Sequence, residues 1–216
     1  MLIGINGFKG AGKDTVAAYL VKNHGFTRLA FADLLKLSVA TLFNIPIDWI
    51  DTYKDEPNCY VAIGFKNDPA PSFNQIEGQP SKMWSPMTEM TLREFLKRYG
   101  TESHRDVFGD DFWIEQLFKE RMGSEWHRGS RYCVSDARFE NELRFIRDLD
   151  GFNVRVMRPG LTADEHRSEQ IPSPDLIFTT IDNSGDFHHL EEEVSIALNK
   201  IIWDAKELGW RNEGDM

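Results

Sequence analysis

The sequence predicts an α/β fold, a central parallel sheet flanked by helices, and three observations predict it. Short β-branched apolar runs alternate with helical apolar patterns, the rhythm of repeated βα units. The first of these runs, Leu2-Ile3-Gly4-Ile5-Asn6, passes straight into a glycine-rich turn, Gly7-Phe8-Lys9-Gly10-Ala11-Gly12-Lys13-Asp14-Thr15, that opens a helix. A later run, Arg131-Tyr132-Cys133-Val134-Ser135-Asp136, reads as a buried strand ending in a carboxylate.

The glycine-rich turn is built to grip phosphates. Gly7, Gly10 and Gly12 let successive N–H groups point inward, where they meet phosphate oxygens at the positive end of the following helix. Lys13 adds a cation for β- and γ-phosphates. The spacing G-x4-G-K arises by chance in about one chain of this length in twenty. Its setting between an apolar strand and the helical pattern Thr15-Val16-Ala17-Ala18-Tyr19-Leu20-Val21 is therefore what gives the reading force. Position 14 is Asp, where Ser or Thr usually supplies a hydroxyl to magnesium, and Thr15 lies about 100° further round the helix. Asp14 then serves either as a hard oxygen ligand, direct or through water, or simply as a favourable charge in the first helical turn.

The first helix should end near Gly25. A second strand is expected over 26–31 and a second helix over 33–40, with Asp33 near its start. Residues 45–88 break the rhythm with scattered prolines and aromatics and read as a partly ordered insertion or flap. Thr91-Leu92-Arg93-Glu94 is a capping-box pattern opening a helix to about Tyr99, with a turn at Gly100-Thr101-Glu102. Asp110 or Asp111 should cap a helix to about Met122. After the strand ending at Asp136 come a helix over 138–150, a strand over 153–158 stopped by Pro159-Gly160, and a polar lid over 159–174. A last strand over 176–181 and an amphipathic helix over 188–208 complete the expectation of one domain spanning 1–216.

Composition narrows the function. At 216 residues, 41% hydrophobic content and a mean hydropathy of −0.45, the chain has the makings of one full core. A formal net charge of −10 argues against coating nucleic acid or an anionic membrane, which takes clustered Lys and Arg. Cys59 and Cys133 lack metal-like spacing and suit a reduced, cytoplasmic setting. Met1 leads directly into the first strand, and no apolar stretch approaches membrane-spanning length.

Ligands of open parallel sheets bind beyond the carboxyl ends of the strands, which selects the phosphate loop, Asp33, Asp136 with Arg138, and Arg158. Asp136 could reach Mg²⁺ through water and Arg138 could clamp a phosphate; a structural Asp–Arg pair is the other reading. Arg93 and Arg105 are candidates for a second phosphate-bearing substrate, and Arg158 and Arg167 flank the lid, whose closure would exclude water.

These pieces together resemble the phage deoxynucleoside monophosphate kinases. The strings that carry the resemblance are 7–15, Thr-Leu-Arg-Glu-Phe-Leu-Lys-Arg-Tyr-Gly-Thr-Glu at 91–102, Asp-Ala-Arg-Phe-Glu-Asn-Glu at 136–142, Arg-Pro-Gly at 158–160 and His-Arg-Ser-Glu at 166–169. The resemblance implies a P-loop kinase fold, often dimeric, that transfers the ATP γ-phosphate to a deoxynucleoside monophosphate with Mg²⁺. It assigns the donor phosphates to Gly7, Lys9, Gly10, Ala11, Gly12, Lys13, Asp14 and Thr15. The acceptor side would take Asp33, Lys36, Arg93, Arg105, Asp136, Arg138 and Glu142, with Asp14 and Asp136 toward the metal. Lys13, Asp136, Arg138 and Arg158 would be catalytic, and His166, Arg167 and Glu169 would belong to the lid. A phage-encoded chain would work in the host cytoplasm. Kinases of other small phosphorylated acceptors, such as dephospho-coenzyme A or phosphomevalonate, and a non-catalytic ATP-dependent switch are the competing expectations.

Overall fold

A computed structural model describes residues 1–63, 88–119, 130–162, 171–207 and 209. In chain order the elements are β1 (Leu2–Asn6), α1 (Lys13–His24), β2 (Thr27–Leu29), α2 (Phe31–Phe43), α3 (Ile47–Tyr53), β3 (Tyr60–Ile63), β4 (Thr88–Thr91) and α4 (Leu92–Gly100). A π-helical segment (Thr101–Arg105) then runs into α5 (Asp106–Phe108), followed by α6 (Phe112–Leu117), β5 (Tyr132–Val134), α7 (Glu140–Asp148) and β6 (Phe152–Met157). A 3₁₀ turn (Pro174–Leu176), β7 (Thr179–Asp182) and α8 (Phe187–Glu207) follow. The chain divides into two compact units, Met1–Leu34 with Phe108–Met216, and Leu35–Val107.

The first unit carries the expected parallel sheet, in the order β2-β5-β1-β6-β7. All four pairings in it are parallel. The chain leaves β1 toward one edge and β6 toward the other, so the crevice beyond the carboxyl ends of these two neighbours is the topological switch point. Period-2 alternation places Ile3 and Ile5 of β1 with Val154 and Val156 of β6 on one face. There they pack with Val16 and Leu20 of α1 and Val194 and Ile201 of α8. Tyr19 Oη and Ser195 Oγ, 3.0 Å apart, tie the two helices together. On the other face lie Leu143 and Ile146 of α7, both fully buried. The buried Asn153 donates from Nδ2 to the carbonyls of Leu143 at 2.8 Å and Leu176 at 3.0 Å.

The second unit has its own core of Val39, Ala40, Ile50 and Phe95. Its β3 and β4 pair antiparallel, Tyr60 opposite Thr91. The Thr91 hydroxyl accepts the Glu94 amide at 3.2 Å, as the capping pattern requires, and α4 starts where expected. The 45–88 insertion contributes α3 and β3; residues 64–87 of it lie outside the described set.

Several boundaries differ from expectation. The second strand is only Thr27–Leu29, because Phe31 and Ala32 already belong to α2 and give their amides to the carboxylate of Asp136. No turn interrupts the chain at Gly100, which is buried in right-handed helical conformation and leads on through the π-helical segment. The Asp111 side chain does not cap α6; it accepts the Asn141 side-chain amide at 2.8 Å. The last strand begins at Thr179, since Pro174 starts a 3₁₀ turn that takes in Leu176.

Candidate functional site

The strand–loop–helix core of the site is local in origin. Gly7, Gly10 and Gly12 all take positive φ, at 148°, 79° and 103°. Gly7 is doubly constrained, because a Cβ there would stand 2.7 Å from the Val156 carbonyl oxygen. Gly12 leads directly into α1, whose first residue is Lys13. The Lys13 side chain is folded into the loop, with Nζ donating to the carbonyls of Gly7 at 2.7 Å and Phe8 at 2.8 Å. That buried ammonium sits among the loop's own oxygens at the positive end of α1.

Two longer-range contacts brace the loop. Asn183, just past β7, donates from Nδ2 to the Ala11 carbonyl at 2.8 Å. Arg158, just past β6, reaches the Gly10 carbonyl at 3.4 Å through Nη1. Lys9, Asp14 and Thr15 are exposed. Arg28 on β2 pairs with Asp33 at 3.1 Å and stands 4.0 Å from Asp14, neutralising charge between the starts of α1 and α2.

The loop after β5 follows the strand that pairs in parallel with β1, in the same unit. The Asp136 carboxylate accepts from the amides of Phe31 at 2.8 Å and Ala32 at 2.9 Å, one per oxygen. Asn6, at the end of β1, donates from Nδ2 to the Ala137 carbonyl at 2.8 Å. Glu142, 2% exposed, uses Oε2 to accept the amides of Arg138 at 2.7 Å and Phe139 at 3.0 Å. Bonds to β1, α2 and α7 thus hold the 136–139 segment and the root of the Arg138 side chain.

The remaining candidates divide by unit. Lys36, Arg93 and Arg105 belong to the second unit. There Lys36 and Lys54 both bond the Asp51 carboxylate, at 3.1 and 2.6 Å. Burial acts to raise the Asp51 carboxyl, but the two lysines outweigh it and hold it below the usual range. Arg93 pairs with Asp55, and Arg105 is buried. The lid residues His166, Arg167 and Glu169 lie outside the described residues. The far end of the 159–174 segment is fastened where Ser173 donates from its amide at 3.0 Å and its hydroxyl at 2.6 Å to Glu140.

Sequence reasoning missed Asn6, Arg28 and Asn183. A polar residue closing an apolar strand was the available signal for Asn6; no comparable signal marked Asn183.

No protein-family model matches the chain. A protein of Acanthamoeba polyphaga mimivirus named "Putative deoxynucleotide monophosphate kinase" is 30% identical over 170 residues, covering 78% of this chain and 80% of its own length. Among solved structures, shikimate kinase from Aquifex aeolicus matches at 13% identity, 95% and 98% coverage of the two chains and a TM-score of 0.41. TT1252 from Thermus thermophilus matches at 15% identity, 93% and 97% coverage and a TM-score of 0.41. Overlays this loose add nothing to what the strand order and the phosphate loop already establish.

Proposed function

The chain belongs to the same family as the mimivirus deoxynucleotide monophosphate kinase, and from that premise we propose that it phosphorylates deoxynucleoside monophosphates at the expense of ATP. It is a phosphotransferase, and the finer claim concerns its acceptor. The single observation that supports it most is the pairing, at the carboxyl ends of adjacent strands, of a phosphate loop holding Lys13 with a backbone-locked loop presenting Asp136 and Arg138.

In-line phosphoryl transfer asks the protein for position and positive charge more than for covalent chemistry. The amides of Gly10, Ala11, Gly12 and Lys13 would cradle the donor phosphates. Lys13 would exchange the Gly7 and Phe8 carbonyls for phosphate oxygens, a better partner for an ammonium. Arg138 would neutralise the acceptor phosphate from a rigid base, and Arg158 would approach the donor beside Gly10. Glu142 acts through Arg138 by holding its amide. Asp33 would contact the acceptor; the resemblance adds Lys36, Arg93 and Arg105 to that role and His166, Arg167 and Glu169 to a lid.

Magnesium fits the donor set. Each Asp136 oxygen accepts one amide and keeps lone pairs for a metal-bound water, and Asp14 offers an exposed carboxylate on the first turn of α1. When bound, the ion would supply charge neutralisation between the donor phosphates.

The decisive experiment is an acceptor panel with ATP and Mg²⁺, read as acceptor-dependent ADP formation. Turnover of one or more deoxynucleoside monophosphates is expected. Turnover of a non-nucleotide phosphate such as dephospho-coenzyme A with none of any deoxynucleotide would overturn the reading. Slow hydrolysis with no acceptor would point to a switch.

A further inference from the structure

Arg155 is a cation that the phosphate loop and its braces do not account for. It lies on β6 between Val154 and Val156, whose side chains fill the core toward α1 and α8. Alternation therefore puts Arg155 on the opposite face of the sheet. Its neighbour across the sheet is Asn6, the last residue of β1, which on that same face holds the Ala137 carbonyl. Arg155 thus shares a face and a strand end with the Asp136–Arg138 loop. Its guanidinium carbon stands 5.1 Å from the centre of the Phe8 ring, inside the phosphate loop.

The side chain is half-buried, and burial pushes its pKa down with no neighbouring charge to offset this. Among the described residues no carboxylate pairs with it. This is notable in a chain with 35 acidic and 25 basic residues, where a carboxylate partner is the common solution for a desolvated guanidinium. A ring face compensates only part of the lost hydration, and a guanidinium so placed is complementary to a phosphate dianion, which it can meet through two parallel N–H bonds.

We propose that Arg155 is an acceptor-binding residue: seated on Phe8, its guanidinium receives the phosphate monoester that accepts the transferred group. The claim deepens the proposed function and rests on it for the nature of the acceptor. It also gives Phe8 a reason to be aromatic that the loop's phosphate contacts, made by amides and Lys13, do not supply.

Two measurements separate this claim from the function itself. The first saturates the protein with Mg²⁺ and ADP, so that the phosphate loop is filled, and titrates inorganic phosphate by ³¹P NMR. Wild-type protein should bind phosphate, and Arg155→Met should weaken that binding at least tenfold while ADP affinity stays within twofold. The second compares steady-state constants: Arg155→Met should raise KM for the deoxynucleotide at least tenfold and leave KM for ATP within twofold. Arg155→Lys, which keeps the charge but loses the fork, should fall between, and it replaces Met where the Met variant does not fold. Phosphate binding without turnover of any deoxynucleotide would sink the function and keep the anion site. Absence of phosphate binding in wild type, or an unchanged acceptor KM with a raised ATP KM, would reduce Arg155 to a support for Phe8 and overturn the claim.

Discussion

Asn183 and Ala11, 172 positions apart, are joined by a 2.8 Å hydrogen bond from the Asn183 side-chain amide to the Ala11 carbonyl. The backbone N–H of Asn183 is committed as well, to the Met157 carbonyl at 2.7 Å. One residue therefore clamps the phosphate loop to the end of β6. Asn183→Ala should cost about 1 kcal/mol of loop order, the net worth of such a bond. That corresponds to roughly a fivefold weakening of ATP binding. Calorimetric titration with a non-hydrolysable ATP analogue checks this, and unchanged affinity would show the clamp to be idle.

Lys13→Ala removes the ammonium of the phosphate loop and takes a donor from the Gly7 carbonyl, while the Phe8 carbonyl keeps the Ala11 amide at 3.1 Å. Loss of one preorganised electrostatic contact typically costs about a hundred- to a thousandfold in kcat. Turnover of the variant should fall by at least that range in an ADP-release assay, with the thermal unfolding midpoint little changed. Wild-type kcat in the variant would move the chemistry elsewhere.

Asp136→Asn tests a dual role. The native carboxylate accepts two amides, whereas an Asn side chain offers one oxygen and turns an NH₂ group toward the other N–H. The cost should be about 1–3 kcal/mol, or about 2–4 °C of unfolding midpoint per kcal/mol in a chain of this size. This loss should appear in metal-free protein. A variant as stable as wild type without Mg²⁺ would limit Asp136 to the metal.

Local rules decided what was legible in the sequence. The phosphate loop, the end of α1 at Gly25 and the Thr91 cap rest on residues within a few positions of each other, and all three stand where expected. The start of α2 was not legible, because the carboxylate that fixes it comes from Asp136, 105 positions away. Gly100 punctuates the sequence, but burial in the second unit keeps it helical. The candidate site was half readable for the same reason. Lys13 and Asp136 follow strands and could be named, whereas Arg155 and Asn183 gain meaning only when strand order brings their ends together.

Cys133 predicts an alkaline limit. It is fully buried on β5, and desolvation pushes its thiol up to about 12 from an ordinary 9.0. The folded state thus keeps a proton that the unfolded chain loses, so its stability is fully present below about 9 and declines as pH rises toward about 12. Denaturant midpoints should fall over that window, and Cys133→Ala or Cys133→Ser should flatten the decline. In native protein near neutral pH a thiol reagent should modify the half-buried Cys59 alone, with Cys133 reacting only after unfolding.

Gly7→Ala distinguishes a conformational demand from a steric one. Gly7 has φ +148°, and an added Cβ would meet the Val156 carbonyl oxygen at 2.7 Å, a backbone atom of a central strand that cannot swing aside. Gly25 also has positive φ, at 65°, but a Cβ added there, at the exposed end of α1, would meet nothing within 4 Å. Gly25→Ala should therefore cost only the left-handed penalty, about 1–2 kcal/mol, with ATP affinity intact. Gly7→Ala carries a comparable strain plus an overpacking cost of about 1–3 kcal/mol. It should relieve that cost by displacing the loop that holds Lys13. ATP binding should then drop more than tenfold, by titration, in protein whose far-UV circular dichroism is unchanged. Equal ATP affinity in the two variants would mean that the loop tolerates movement at its first glycine, and the close approach to Val156 would have no part in shaping it.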